Sequence, residues 1–235
     1  MRVSLSEIQT FITKACVATR LPLGLAEDAG HAARHAIQRG SGQLEAFVEA
    51  IEAMAQNRSV TYDIDKAIMG HFVPHDSDKN LSALHAGPSA CDFIFLNETQ
   101  NVKQGHITLI SIDVPAVVIY QASVVSENVD SKYSLSWHIS GASILHGICW
   151  QGSLLFTEGT LADLLSSHSS EISLQLVELG DPLDKSTSKF VDQVNSPQVE
   201  ERVWNNILKY AGRSLVETTE TSRLTGAGAG VLDTD

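Results

Sequence analysis

Cysteines, aromatic rings, basic side chains and long apolar runs are all in short supply in this chain. Its three cysteines in 235 residues, Cys16, Cys91 and Cys149, form no C-x-x-C pair, so neither a zinc ribbon nor a thioredoxin-type redox motif is available. Sixteen Lys and Arg against 28 Asp and Glu leave a formal net charge of −12. A field of that sign repels duplexes and anionic bilayers, so no nucleic-acid partner and no membrane partner is expected. The longest aliphatic run, VPAVVIY (Val114–Tyr120), falls far short of the ~20 residues of a spanning helix. The opening MRVSLSEIQTF is interrupted by polar residues and does not read as a signal peptide. A reducing cytoplasm is the expected location.

Familiar catalytic and nucleotide-binding signatures are missing too. In the closing SRLTGAGAGVLDTD, Gly226, Gly228 and Gly230 follow a loop-like SLVETTETSRLT and precede only five residues. No strand leads in, and no helix leaves to offer its N-terminus to a pyrophosphate. Gly-Lys-Ser/Thr does not follow either. With no dinucleotide or Walker-type motif, the cofactor is unknown and a divalent metal stays open. The tail is either a solvated chain end or a strap laid against the body or a second subunit. In the second case Arg223 would be its positive contact and Gly226, Gly228 and Gly230 its close-approach positions. GPSAC (Gly87–Cys91) puts Cys91 where a nucleophile elbow needs glycine, and GASIL (Gly141–Leu145) fails likewise, which argues against a serine hydrolase.

What the chain does contain is a change of rhythm. Ser4 and Glu7 form a capping box ahead of Leu5, Ile8, Ile12 and Ala15 at helical spacing. Pro22-Leu23-Gly24 breaks that helix. A second is expected from about Leu25 to Arg39, stopped by Gly40, and a third carries Leu44, Phe47, Val48, Ile51 and Met54 on one face. From Cys91 the runs CDFIFL, HITLISID and PAVVIYQASVV read as strands, followed by a hairpin in YSLSWHISGASILHGICW. A type II′ turn at Gly141-Ala142 would pair Ile139 with Ile144, Trp137 with His146, Leu135 with Ile148 and Tyr133 with Trp150, all on one face. EISLQLVEL (Glu171–Leu179) reads as a further strand, and Ser196-Pro197 as the start of a last helix ending at Gly212. The fold class is α+β: a helical subdomain over 1–58, a mainly antiparallel central sheet with a closing helix over 59–221, and a Gly-rich tail over 222–235.

Histidines supply the candidate chemistry. His71 and His75 in HFVPH, near Asp76 and Asp78, are the residue types that bind a divalent ion, although Pro74 forbids stacking them on one helix. His146 would face Trp137 on an apolar surface, and His138 would share its face with serines; both are candidate acid–base groups. Glu27, His31 and His35 recur every four residues beside Arg34, Gln38 and Arg39, the composition of a solvated helix face. Cys91 and Cys149 sit in apolar runs and read as buried, inert thiols.

Two resemblances follow from these segments. MRVSLSEIQTF, LPLGLAEDAGHAARHAIQRG, ALHAGPSACDF and the closing SRLTGAGAGVLDTD are together similar to an uncharacterised bacterial family known only as a domain of unknown function. That implies no chemistry, but makes the tail part of a common design. The stretch from Val3 to Ile51 also resembles, in layout, the opening of the malate/L-lactate dehydrogenase family that lacks a Rossmann fold. That resemblance implies a Ser-His-Gly after the second helix, with the histidine in catalysis. This chain has Ser41-Gly42-Gln43 there.

Two functional expectations stand. The first is an enzyme of small-molecule metabolism with its site between the helical part and the sheet, drawing on His71, His75, His138, His146 and Arg223. The second is a non-catalytic binding or accessory subunit that uses its tail as an oligomer or partner strap. A small molecule and a second copy of the chain are the expected partners.

Overall fold

The computed structural model describes residues 1–40, 43–99, 106–130, 132–141, 144–168, 170–178 and 197–213, with backbone only at 95 and 97–99. The element order is α1 (Leu5–Ala18), α2 (Leu23–Gln38), α3 (Leu44–Ala55), β1 (Ser59–Val60), α4 (Ile64–Ala67), β2 (His71–Phe72), β3 (Asn80–Leu81) and α5 (Ala83–Thr99). There follow β4 (His106–Ile112), α6 (Pro115–Ser126), β5 (Tyr133–Ser140), β6 (Leu145–Trp150), β7 (Ser153–Glu158), α7 (Leu161–Ser166), β8 (Ser170–Glu178) and α8 (Glu201–Gly212). This is an α+β architecture with one mixed sheet.

The capping box forms as read: the Glu7 N–H donates to Ser4 Oγ at 3.2 Å, and the Ser4 N–H donates to Glu7 Oε2 at 2.8 Å. Gly40 closes α2 in the left-handed region, at φ +65°. The inner stripes of α1, α2 and α3 pack on one another and on α8, where Phe11 meets Trp204 edge-on with ring centroids 5.5 Å apart. Alanines 26, 29, 32, 33 and 36 give α2 a thin face. At Gly30 the α1 backbone comes so near that a Cβ would lie 2.7 Å from Gln9 O.

The sheet runs β1-β3-β4-β8-β5-β6-β7, with β2 also paired to β4. The short strands pair in parallel, β1 with β3, β2 with Thr108 and Leu109 of β4, and β3 with the β4 end at Ile112, while the long ladders among β4, β8, β5, β6 and β7 are antiparallel. HITLISID and EISLQLVEL are strands as expected. Two other runs are not. CDFIFL is part of α5, and PAVVIYQASVV is α6, buried at Pro115 through Ser123. β-Branched content misleads there because a helix enclosed on all sides has no polar stripe to betray its period. Phe47 stacks on Tyr120 of α6 at 5.9 Å, tying α3 to this central helix.

The hairpin exists, but one residue out of the expected register. Leu145 lies opposite Ile139, His146 opposite His138, Gly147 opposite Trp137 and Cys149 opposite Leu135. Trp137 is therefore on the buried face and Trp150 on the other, so the single apolar face read from the sequence does not form. A two-residue turn does occur in the next hairpin, where Gln151-Gly152 joins β6 to β7 with φ of +47° and +74°, the signs of a type I′ turn. The Ser196-Pro197 start is also corrected. Helix α8 begins at Glu201, whereas Gln198 bridges Arg2 and the Val199 N–H donates to Met1 O at 2.9 Å.

Gly147 explains the register. The Trp137 ring lies flat across it, so that a Cβ would overlap Cζ2 and Cε2 of the indole and approach Leu155 O at 2.5 Å. Gly147→Ala is expected to lower stability by about 3 kcal/mol, at the upper end of overpacking effects, read as a shifted urea midpoint at unchanged slope. An alanine variant as stable as the parent would mean the indole has room to move.

Candidate functional site

The register gathers some of the expected residues and separates others. His138 and His146 stack directly, ring centroids 4.2 Å apart and planes inclined by 26°, with Glu158 Oε2 at 3.7 Å from His146 Nε2. They occupy the outer face of the sheet, not an apolar interior, because the one-residue shift turns His146 away from Trp137. On the same row, through Ser173 and Thr108, lies His71 of β2. Three strand spacings of ~4.8 Å keep it out of reach of the stacked pair. His75 faces elsewhere, its Nδ1 at 3.0 Å from Thr61 O. Among the described residues, no group of three His, Cys, Asp or Glu side chains is placed to hold a metal ion. Arg223, Gly226, Gly228 and Gly230 lie outside the described residues.

His35 is not on a solvated face. It packs against the end of α6, with Nε2 3.1 Å from Glu127 Oε1, which also accepts from Arg39 Nη2 at 2.6 Å. Burial pushes the imidazole down, opposed by Glu127, and it leaves Nδ1 without a partner. All three cysteines are buried and free, and desolvation pushes the Cys91 thiol up to about 12.

The cavity that best combines shape with charge lies between α3, α8 and the start of β1. Its volume is about 330 Å³, and Glu45, Val48, Glu49, Glu52, Arg58, Arg202, Val203 and Asn206 line it. On α3 the three glutamates recur at steps of four and three, one helical stripe, while the opposite stripe with Phe47 and Ile51 enters the core. On α8, Arg202 and Asn206 stand one turn apart beside the buried Val203. Glu49 Oε1 lies 3.2 Å from Nδ1 of His168, which follows α7. Burial raises the Tyr210 phenol nearby, reinforced by Glu52 and opposed by Arg213 and Arg58.

Beyond Glu49 is the most deeply enclosed acid of the described residues. Asp113 Oδ1 accepts the N–H of Ala83 at 2.9 Å and of Val114 at 2.7 Å, joining the starts of α5 and α6. Its Oδ2, and the hydroxyls of Ser59 and Ser82, are buried without a hydrogen bond of good geometry. Desolvation raises this carboxyl above the ordinary aspartate range, opposed by Ser59 and the two N–H groups, and the charge of Glu49 adds to the rise. The sequence does hold a signal for it: Asp two residues before Pro115 is a helix-start pattern. The cleft has none in any one window, because its walls come from 45–58 and 202–206.

Comparisons with known proteins fit this architecture. A family model described as "Protein of unknown function (DUF3726)" matches residues 3–75, which is α1 through the segment after β2. No curated protein matches the chain. Among solved structures it is similar to sulfolactate dehydrogenase from Methanocaldococcus jannaschii, with a TM-score of 0.56 and 8% identity, covering 91% of this chain and 97% of that one. Both resemblances read from the sequence are met. The family match is shorter than the motifs suggested and stops well before the tail. The dehydrogenase likeness is longer than its N-terminal layout, and at this identity it is a likeness of fold.

Because folding raises the Asp113 value, its protonated form contributes stability that is fully present below the unfolded value and is lost as pH rises through the folded one. Urea midpoints should therefore fall with pH above the usual 3.8 in the parent. Asp113→Asn, which keeps the Oδ1 acceptor, should flatten that dependence, and Asp113→Ala should cost about 1–3 kcal/mol at every pH. A parent profile parallel to that of Asp113→Asn would remove the buried-acid account.

Proposed function

We propose that this protein is an enzyme of small-molecule metabolism that works by proton transfer in the cleft between α3, α8 and β1. Glu49 is its acid–base group and His168 the positioning residue that orients it. One observation carries the reading: the Glu49–His168 pair, 3.2 Å apart, sits at the wall of a cavity that also holds Arg58 and Arg202. A carboxylate touching an imidazole can hold and hand on a proton, and guanidinium groups recognise anionic substrate groups. The cleft lies where helices meet the sheet edge, an interface that ligands favour. The fold likeness to a dehydrogenase supports an enzymatic scaffold by analogy alone. Hydride transfer is not part of the proposal, since Ser41-Gly42-Gln43 replaces the histidine motif that the dehydrogenase resemblance implies. We place the enzyme in a reducing cytoplasm, without nucleic-acid or membrane partners.

The test is depletion of a defined metabolite mixture followed by mass spectrometry. The parent consumes its substrate, and Glu49→Gln slows consumption by about 100-fold or more with unchanged melting. His168→Asn lowers the rate less and moves the pH profile. Consumption at the parental rate in Glu49→Gln, or none by the parent, overturns the reading.

A second reading, the accessory subunit, draws on a different surface. Ile64, Ile68 and Met69 are each 68% exposed, and the first two border an apolar pocket of about 280 Å³ with Tyr62, Phe72 and Phe93. Exposed apolar side chains in such a group mark interaction surfaces. Truncation after Thr221 should dissociate an oligomer in sedimentation runs if the tail is a strap. Unchanged sedimentation discards the strap.

A further inference from the structure

We infer that the α3–α8–β1 cleft takes a small zwitterion, with an ammonium group at one end and a carboxylate at the other. An ω-amino acid is the simplest form. The inference rests on the cleft being the working site, and it names the substrate class.

The two walls carry opposite charge. Glu45, Glu49 and Glu52 span eight residues of α3, about 10 Å of helix. Facing them are Arg202 on α8 and Arg58 at the entry to β1. Opposite charges can collapse into pairs, as Arg39 and Glu127 do at 2.6 Å. Here they do not. Among the described residues, neither Arg58 nor Arg202 forms an ion pair, and Arg58 Nε donates to the neutral Gln56 Oε1 at 2.9 Å. The contact of Glu49 is the imidazole of His168 rather than a guanidinium. The cavity is thus lined by both signs of charge with no guanidinium–carboxylate pair among the described residues.

A purely anionic ligand would meet three carboxylates, and a purely cationic one two guanidiniums. Only a ligand of both signs compensates both walls, which is how charge patterns select one partner and reject another. Between the walls the floor is apolar, formed by the buried Val48 and Val203, and suits a short methylene linker. Asn206 adds an amide able to donate or accept beside Arg202.

The test is isothermal titration of the full chain at low ionic strength with glycine, 4-aminobutanoate and 6-aminohexanoate, using butanoate and butylamine as single-charge controls. One of the amino acids is expected to bind at least tenfold more tightly than either control. Arg202→Gln and Glu45→Gln should each weaken it at least tenfold, and added salt should weaken it further. Controls that bind as well as the zwitterions, or no binding by any amino acid at millimolar concentration, overturn the inference. Zwitterion binding without turnover leaves it standing and removes the proton-transfer reading. Turnover of a neutral or singly charged substrate does the reverse.

Discussion

One buried carboxylate decides where two helices begin, and the rest of the molecule is arranged around that junction. Strand β4 leaves its ladder through a bulge at Ser111, whose φ of +57° redirects the chain, and Asp113 follows at once. Its backbone N–H donates to Leu81 O at 3.0 Å, while Oδ1 collects the first N–H groups of α5 and α6. Each helix start leaves N–H groups without partners, so one carboxyl oxygen that accepts from both starts is favourable even where burial disfavours the charged form. Both helices then cover the inner face of the sheet. The central α6 can be apolar on all sides because α2, α3 and α5 surround what the sheet leaves open. The same junction brings the ends of β1, β3 and β4 beneath α3, which is why Glu49 stands near Asp113.

What could be read in advance follows from how local each determinant is. The α1 cap, the alanine stripe of α2 and the apolar face of α3 are written in windows of a dozen residues, and they appear where expected. Strands β4 and β8 show their alternation and are equally plain. The failures share one cause: burial on every side, or a partner far away in sequence. PAVVIYQASVV loses its helical period because Pro115 through Ser123 are all buried, which leaves no polar stripe. Gly141 is compatible with a two-residue turn as well as with the observed pairing of Ile139 with Leu145, so turn chemistry leaves two β5–β6 registers open. What distinguishes them is the indole of Trp137, which fits over Gly147 in one register only, a packing fact invisible to turn chemistry.

The histidines teach the same lesson about sites. Those singled out for spacing, His71 and His75, point to separate neighbours. His138 and His146 meet for a reason their spacing does not contain: each strand presents alternate residues, and a slip of one brings both to the outer face. His168 drew no attention, since SSHSSE has neither period nor motif. It gains meaning only from Glu49, more than a hundred residues earlier, through folding.

The likeness to sulfolactate dehydrogenase and the missing histidine motif are compatible once fold and chemistry are kept apart. At 8% identity the likeness is one of fold, and a fold does not fix which side chains do chemistry. Gly40 turns the chain out of α2 in the left-handed region. The residues that follow carry no side chain able to move a proton at neutral pH, because serine, glycine and glutamine do not titrate there. Any acid–base chemistry must then come from another part of the surface. Among the described residues, the α3–α8–β1 cleft is where a carboxylate–imidazole pair, two guanidiniums and an enclosed volume coincide.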